Sequence, residues 1–75
     1  MMQKVIFDYS KLRGRIREVT GTQKALANAM GISATALSAK LTNKVHFDQA
    51  EIKCAATILG IEPESVSAYF FAQKL

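Results

Sequence analysis

The sequence predicts an all-α fold of five short helices, and three observations carry that prediction. Apolar residues recur at helical spacing in successive segments: Leu12, Ile16 and Val19; Leu26, Ala27 and Met30; Leu37 and Leu41; Ile52, Ala55, Ala56 and Leu59. Gly21, Gly31 and Gly60 stand just past such segments, where a left-handed residue ends a helix at low steric cost. Asp8, Thr22, Ser33 and Asp48 stand just before them and can accept from the free N–H groups of a first helical turn.

Each element follows in order. Residues 1–7 read as extended; Val5, Ile6 and Phe7 are too apolar for a free tail and either pack across the core or pair as a short strand. Helix 1 is expected over 9–20, capped by Asp8, with Leu12, Ile16 and Val19 as its buried stripe. Gly14 inside it costs about 1 kcal/mol against alanine, which points to close approach of another helix or of a ligand backbone. Thr22 caps helix 2, which begins at Gln23 and stops at Gly31. Ser33 opens helix 3, about 33–42, with Leu37 and Leu41 inward. Asp48 with Glu51 forms a D-x-x-E capping box for helix 4, which Gly60 closes. Glu62-Pro63-Glu64 opens helix 5, expected over 63–73, with Pro63 in the first turn and acids favoured by the helix dipole.

Bulk properties narrow the function classes. Seventy-five residues make one small domain, 1–75, which buries only about 60% of its unfolded surface and so depends on close helix packing or a covering partner. No apolar run reaches the roughly 18 residues of a membrane span, and the N-terminus lacks a signal-peptide core, so a cytoplasmic location is expected. The single cysteine, Cys54, cannot form an internal disulfide and reads as a small buried hydrophobe. His46 has no metal-ligand partner in the sequence, and no nucleophile or acid accompanies it, so no catalytic residue, metal site, cofactor or small-molecule substrate is expected.

The net charge of +4 hides an asymmetry. Residues 1–44 carry eight basic groups against two acidic ones, whereas residues 45–75 carry two basic groups against four acidic ones. That polarity suits a chain of which one end meets phosphate and the other does not.

Residues 23–42 then read as a helix-turn-helix, whose usual work is to place its second helix in the major groove of DNA. Ala27 lets the two helices approach, Gly31 makes the turn and Ile32 plugs the corner. Thr22-Gln23, Leu26-Ala27, Gly31-Ile32-Ser33, Leu37-Ser38 and Leu41 resemble the helix-turn-helix of the phage repressor and Cro family, and the flanks extend the resemblance over about residues 8–72. Tyr9-Ser10-Lys11-Leu12 and Ser38-Ala39-Lys40-Leu41 are similar to small Cro-like regulators of temperate phages of Gram-positive bacteria. The resemblance implies a five-helix lambda-repressor/Cro-like domain, a double-stranded DNA operator as partner and a role in lysis–lysogeny control.

Helical geometry turns Thr35, Ala39 and Thr42 outward, with Ser38 beside them and Ala34 at the helix start. Ala34, Thr35, Ser38 and Ala39 are the candidate base contacts. None can make the bidentate contacts to guanine or adenine that carry most direct readout, so specificity would rest on thymine methyl contacts, single hydrogen bonds and DNA shape. The candidate phosphate contacts are Arg13, Arg17, Thr22, Gln23, Ser33, Lys40, Asn43 and Lys44. Gln23 takes this role by resemblance, and Lys40 departs from the family pattern, in which an apolar residue packs there. For Arg13, Arg17 and Lys44 a solvated surface remains the alternative. Helix 5 carries more apolar surface than one face needs, and Val66, Tyr69, Phe70 and Phe71 are candidates for a homodimer or partner interface. The leading expectation is a sequence-specific transcriptional regulator. The alternative is a protein-binding modulator of a partner phage repressor on the same fold.

Overall fold

The computed structural model describes residues 5–74, and they are all-helical apart from one isolated β-bridge. The helices are α1 (Ser10–Val19), α2 (Gln23–Met30), α3 (Ala34–Leu41), α4 (Gln49–Leu59) and α5 (Val66–Phe70), the last entered through a 3-10 turn over Pro63–Ser65. Helix α2 packs on α3 and α4, and α1 packs on α2, α4 and α5. The expectations that touch Met1–Lys4 and Leu75 lie outside the described residues.

The predicted glycine stops form, and so do three of the four predicted caps. Thr22 accepts from the Ala25 N–H and Ser33 from the Ala36 N–H, each at 3.0 Å. Asp48 and Glu51 close both halves of the capping box, at 2.7 and 2.9 Å. Gly31 and Gly60 hold the left-handed conformation at φ 77° and 66°. Leu26, Ala27, Leu37 and Leu41 are buried between the helices, and Ile32 is half-buried at the corner between α2 and α3. Burying a leucine side chain in this way stabilises by about 1.5–3 kcal/mol.

Four expectations need correction. Asp8 does not occupy the N-cap of α1. Tyr9 does, and the Asp8 carboxylate instead accepts from both the hydroxyl and the N–H of Ser10. That hydroxyl bond, then the backbone bond and the nearby Lys74 charge, hold the Asp8 carboxyl below its usual pKa. Val19 is not buried: it ends α1 where no other element covers it, and is 45% exposed. No other helix approaches Gly14, since a Cβ there would meet nothing within 4 Å, so of the two reasons given for this glycine helix packing is ruled out. Helix 5 ends at Phe70, not at residue 73, because the following backbone pairs with the N-terminal segment. The Asp8 N–H donates to the Ala72 carbonyl at 2.7 Å and the Lys74 N–H to the Ile6 carbonyl at 2.8 Å, flanking the antiparallel Phe7–Gln73 bridge.

That pairing answers the question left open for residues 5–7, which both pair and pack. Phe7 is half-buried and lies 6.0 Å from the Tyr9 ring and 6.2 Å from the Phe71 ring. Tyr9 meets Phe47 edge-on at 5.7 Å, and Phe47 meets Phe70 edge-on at 5.4 Å. Such edge-to-face pairs add about 0.5–1.5 kcal/mol beyond their buried area. Burial also raises the pKa of the Tyr9 phenol.

Candidate docking face

The outward side of α3 and the start of α2 form one continuous surface. Gln23, Ala34, Thr35, Ser38, Ala39, Thr42 and Lys44 line a shallow groove of about 570 Å³. Gln23 also borders a smaller cleft of about 230 Å³, shared with Arg13, Arg17, Gly21 and Thr22. Leu37 is fully buried beneath this face while Thr35 is exposed, so α3 has the predicted rotation. At the start of α2 the Thr22 hydroxyl satisfies the Ala25 N–H. The Gln23 and Lys24 N–H groups carry no bond among the described residues, and a first-turn N–H of this kind favours an anion. Ser33 serves as the α3 cap, and its hydroxyl oxygen is engaged by Ala36.

The local stereochemistry of α3 makes this face small. Ala34, Thr35, Ser38 and Ala39 offer three methyls and two hydroxyls, and Thr42 donates its hydroxyl back to the Ser38 carbonyl at 2.9 Å. The Thr42 hydroxyl is thereby committed to its own helix.

Two of the predicted phosphate contacts do not stand on the face. Lys40 is 8% exposed, and its ammonium lies 3.1 Å from a Glu51 carboxylate oxygen on α4. The apolar stem lies in the core position where the resembled family has an apolar residue, while the charged end reaches the Glu51 of the capping box. Asn43 sits at φ 66°, a left-handed conformation that asparagine tolerates better than most residues. Its side-chain amide brackets the Phe7 backbone: the Asn43 Oδ1 accepts from the Phe7 N–H at 2.9 Å, and Nδ2 donates to the Phe7 carbonyl at 3.0 Å. Both polar ends of Asn43 therefore hold the N-terminal segment.

Two cations of α1 also make internal bonds that sequence reading missed. Arg15 donates to the Leu59 carbonyl at 2.9 Å and the Gly60 carbonyl at 3.4 Å, capping the C-terminus of α4, with Glu18 at 3.7 Å. Arg13 is exposed but donates to the Leu41 carbonyl at 3.2 Å, at the end of α3. Lys11 lies 4.8 Å above the Tyr69 ring. Among the described residues of the basic half, Arg17, Lys24 and Lys44 remain without an internal charge or hydrogen-bond partner. The signal for Lys40 was present in the sequence: a lysine at an apolar register position, ahead of a helix with a glutamate in its first turn. The caps supplied by Arg13 and Arg15 span 28 and 44 residues and left no local signal.

The predicted interface on helix 5 is divided. Phe70 is 2% exposed and belongs to the core, so it is not available to a partner. Val66 and Tyr69 are half-buried, and Phe71 is half exposed. Among the described residues no helix is long and apolar enough to cross a membrane.

The comparisons with known proteins agree with this architecture. No curated protein matches the chain in sequence. The fold is similar to the solution structure of the modulator of repression (MOR) of the temperate bacteriophage TP901-1 from Lactococcus lactis. The similarity has a TM-score of 0.78 at 43% identity, over 87% of this chain and 88% of that one. The chain thus has the fold of a small helical phage regulator. Residues 5–73 match the model of a family described as "Protein of unknown function (DUF739)", and the chain belongs to that family.

Proposed function

We propose that this chain modulates a phage repressor by direct protein contact, using the face built from α3 and the start of α2, and that it acts by binding rather than by catalysis. The observation that carries the reading is the composition of that face. Its centre has no side chain larger than threonine, and the one cation of α3 is withdrawn into an ion pair with Glu51. A surface without arginine, asparagine or glutamine at its centre is poor at reading base edges, where each bidentate contact is worth about 1–3 kcal/mol of discrimination. The same surface suits close approach of a protein helix, whose side chains can fill the shallow groove. The 43% identity to a protein named as a modulator of repression supports the same reading.

The second reading is direct operator binding by a Cro-like helix-turn-helix regulator. Arg13, Arg17 and Lys44 border the face, and the free N–H groups of α2 open onto it. Under this reading phosphate contacts supply affinity, and DNA shape supplies what specificity there is.

A gel-shift titration separates the two. The probes are the intergenic DNA beside the gene and the repressor encoded next to it, used singly and together. The expected result is no shift by this chain alone, and a changed repressor shift when both are present. A salt-sensitive shift by the chain alone, unaffected by the repressor, would establish operator binding instead.

A further inference from the structure

Asn43 stands between two concavities at the end of α3. Its chain neighbours Thr42 and Lys44 line the docking groove, whereas Asn43 itself lines a polar cleft of about 360 Å³ together with Phe7, Arg13 and Lys74. Thr42 borders both. Beyond it the chain folds back on α3: the Lys44 and Val45 N–H groups both donate to the Ala39 carbonyl, at 2.9 and 3.3 Å. Among the described residues Asn43 is the one non-glycine residue with a positive φ. A side chain keeps such a conformation where its surroundings fix it.

The terminal bridge supplies that fixing. Its two flanking bonds are made by Asp8 to Ala72 and by Lys74 to Ile6, so Phe7 and Gln73 form the kind of opposed pair that exchanges no bond. The N–H and carbonyl of Phe7 therefore face away from Gln73, where a third strand would pair with them. Asn43 takes that place. A carboxamide offers the same acceptor and donor as a peptide group, and its two bonds to Phe7 are those a neighbouring strand residue would make. One side chain thus joins the turn at the edge of the docking groove to the paired ends of the chain.

We infer that Asn43 is a positioning residue for the α3 face. It sets where Thr42 and Lys44 stand by tying their turn to the paired ends, and opening the ends loosens that edge of the face. The inference rests on the reading of the α3 face as the docking face, and holds for either partner. Such a link is reciprocal, so each end of it reports on the other.

Amide hydrogen exchange followed by NMR tests the link from both sides. Asn43→Gly keeps the left-handed turn and removes the bracket. Asp8 and Lys74 keep their own acceptors in this variant, yet their N–H groups are expected to exchange about tenfold faster or more, as for the loss of two ordinary hydrogen bonds. Lys74→Pro leaves Asn43 and α3 unaltered and removes the donor to Ile6. Its expected effect is faster exchange at Lys44 and Val45. The Ile61 N–H, bonded to the Ala56 carbonyl at 2.9 Å, reports on opening of the whole fold and should change in neither variant. Equal acceleration at Ile61 would reduce Asn43 to a contributor to overall stability and overturn the inference. Unchanged exchange at Asp8 and Lys74 in the first variant, or at Lys44 and Val45 in the second, would do the same.

A fluorescence titration adds the functional readout, with whichever of the neighbouring repressor and the intergenic DNA the wild-type chain binds. Both variants are expected to bind it at least about fivefold more weakly, the lower end of ordinary coupling between sites. Wild-type affinity in both would overturn the inference and leave the docking reading intact. A wild-type chain that binds neither probe would overturn the docking reading and the inference with it, so the wild-type titration tells the two failures apart.

Discussion

Two sets among the basic residues of the N-terminal half face opposite ways, and net charge does not distinguish them. Lys40 and Arg15 turn inward, one to a carboxylate on α4 and the other to the last carbonyls of α4. Arg17, Lys24 and Lys44 are exposed and free of internal partners among the described residues. Each residue adds one charge whichever set it belongs to, yet the first set fixes how the helices sit and the second is available to a ligand. Counting charge therefore overstates the electrostatic reach of this chain. A formal balance of six positive charges over residues 1–44 shrinks to a few cations around a face of small side chains.

The largest expected effect of breaking that distinction lies at Lys40. Lys40→Ala strands the Glu51 carboxylate and opens a void under α3. Breaking a buried ion pair on one side costs about 3–5 kcal/mol, and the partial exposure of Glu51 lowers this to about 2–3 kcal/mol. Lys40→Met keeps the apolar stem and should cost clearly less. Urea denaturation of the two variants measures the difference. Equal losses would mean that the charge, not the stem, is what α3 needs.

Arg15→Ala comes next. It removes the cap on the Leu59 and Gly60 carbonyls, and a hydrogen bond from a charged donor contributes about 1.5–3 kcal/mol. The partly exposed site places the loss near the lower limit, about 1–1.5 kcal/mol. Glu18→Ala tests the other contact of Arg15, which is long and exposed and should contribute no more than about 0.5 kcal/mol. A loss from Glu18→Ala as large as that from Arg15→Ala would show that the i,i+3 pair within α1, and not the cap on α4, carries the effect.

Gly14, between Arg13 and Arg15 in the sequence, should behave oppositely. Its position in a helix interior costs about 1 kcal/mol, and the fold leaves room for a Cβ. Gly14→Ala is therefore expected to stabilise the chain by about that amount in thermal or urea unfolding. Destabilisation would reveal a contact with α1 that the isolated fold does not contain. The same variant sharpens the proposed repressor contact: if that contact forms, a chain made more stable but weaker in binding would place Gly14 against the partner.

These contrasts show which parts of the fold were legible in the sequence. The caps at Thr22, Ser33 and Asp48 were, because donor and acceptor lie three residues apart and helix geometry alone brings them together. The roll of α3 was too, since Leu37 and Leu41 define its buried edge. The Asn43–Phe7 bracket joins residues 36 apart, and neither segment carries a local pattern that names the other. Val19 misled because periodicity gives a face but not how far a neighbour extends along it. Helix 5 was overextended because its apolar residues continue at helical spacing beyond Phe70, while the backbone there is taken by Ile6–Asp8. Of the docking face, the small side chains were readable, but the cations that would surround them were not, because their partners lie on other helices.

The free cations give the smallest effect on stability and the clearest on association. Alanine at Arg17, Lys24 or Lys44 removes no internal partner and should change unfolding free energy by no more than about 0.5 kcal/mol. Association with duplex DNA provides the contrasting readout. Each neutralised phosphate contributes about −0.9 to the slope of log K against log salt, so these three cations with Arg13 allow a slope no steeper than about −4 per chain. Each alanine at a contacting position should make the slope shallower by about 1. If the basic half acted as its full complement of eight cations, the slope would approach about −7. A slope that steep would mean that Lys40 and Arg15 leave their partners when DNA arrives. Their alanine variants would then lose affinity and stability together, and the division between inward and outward cations would fail.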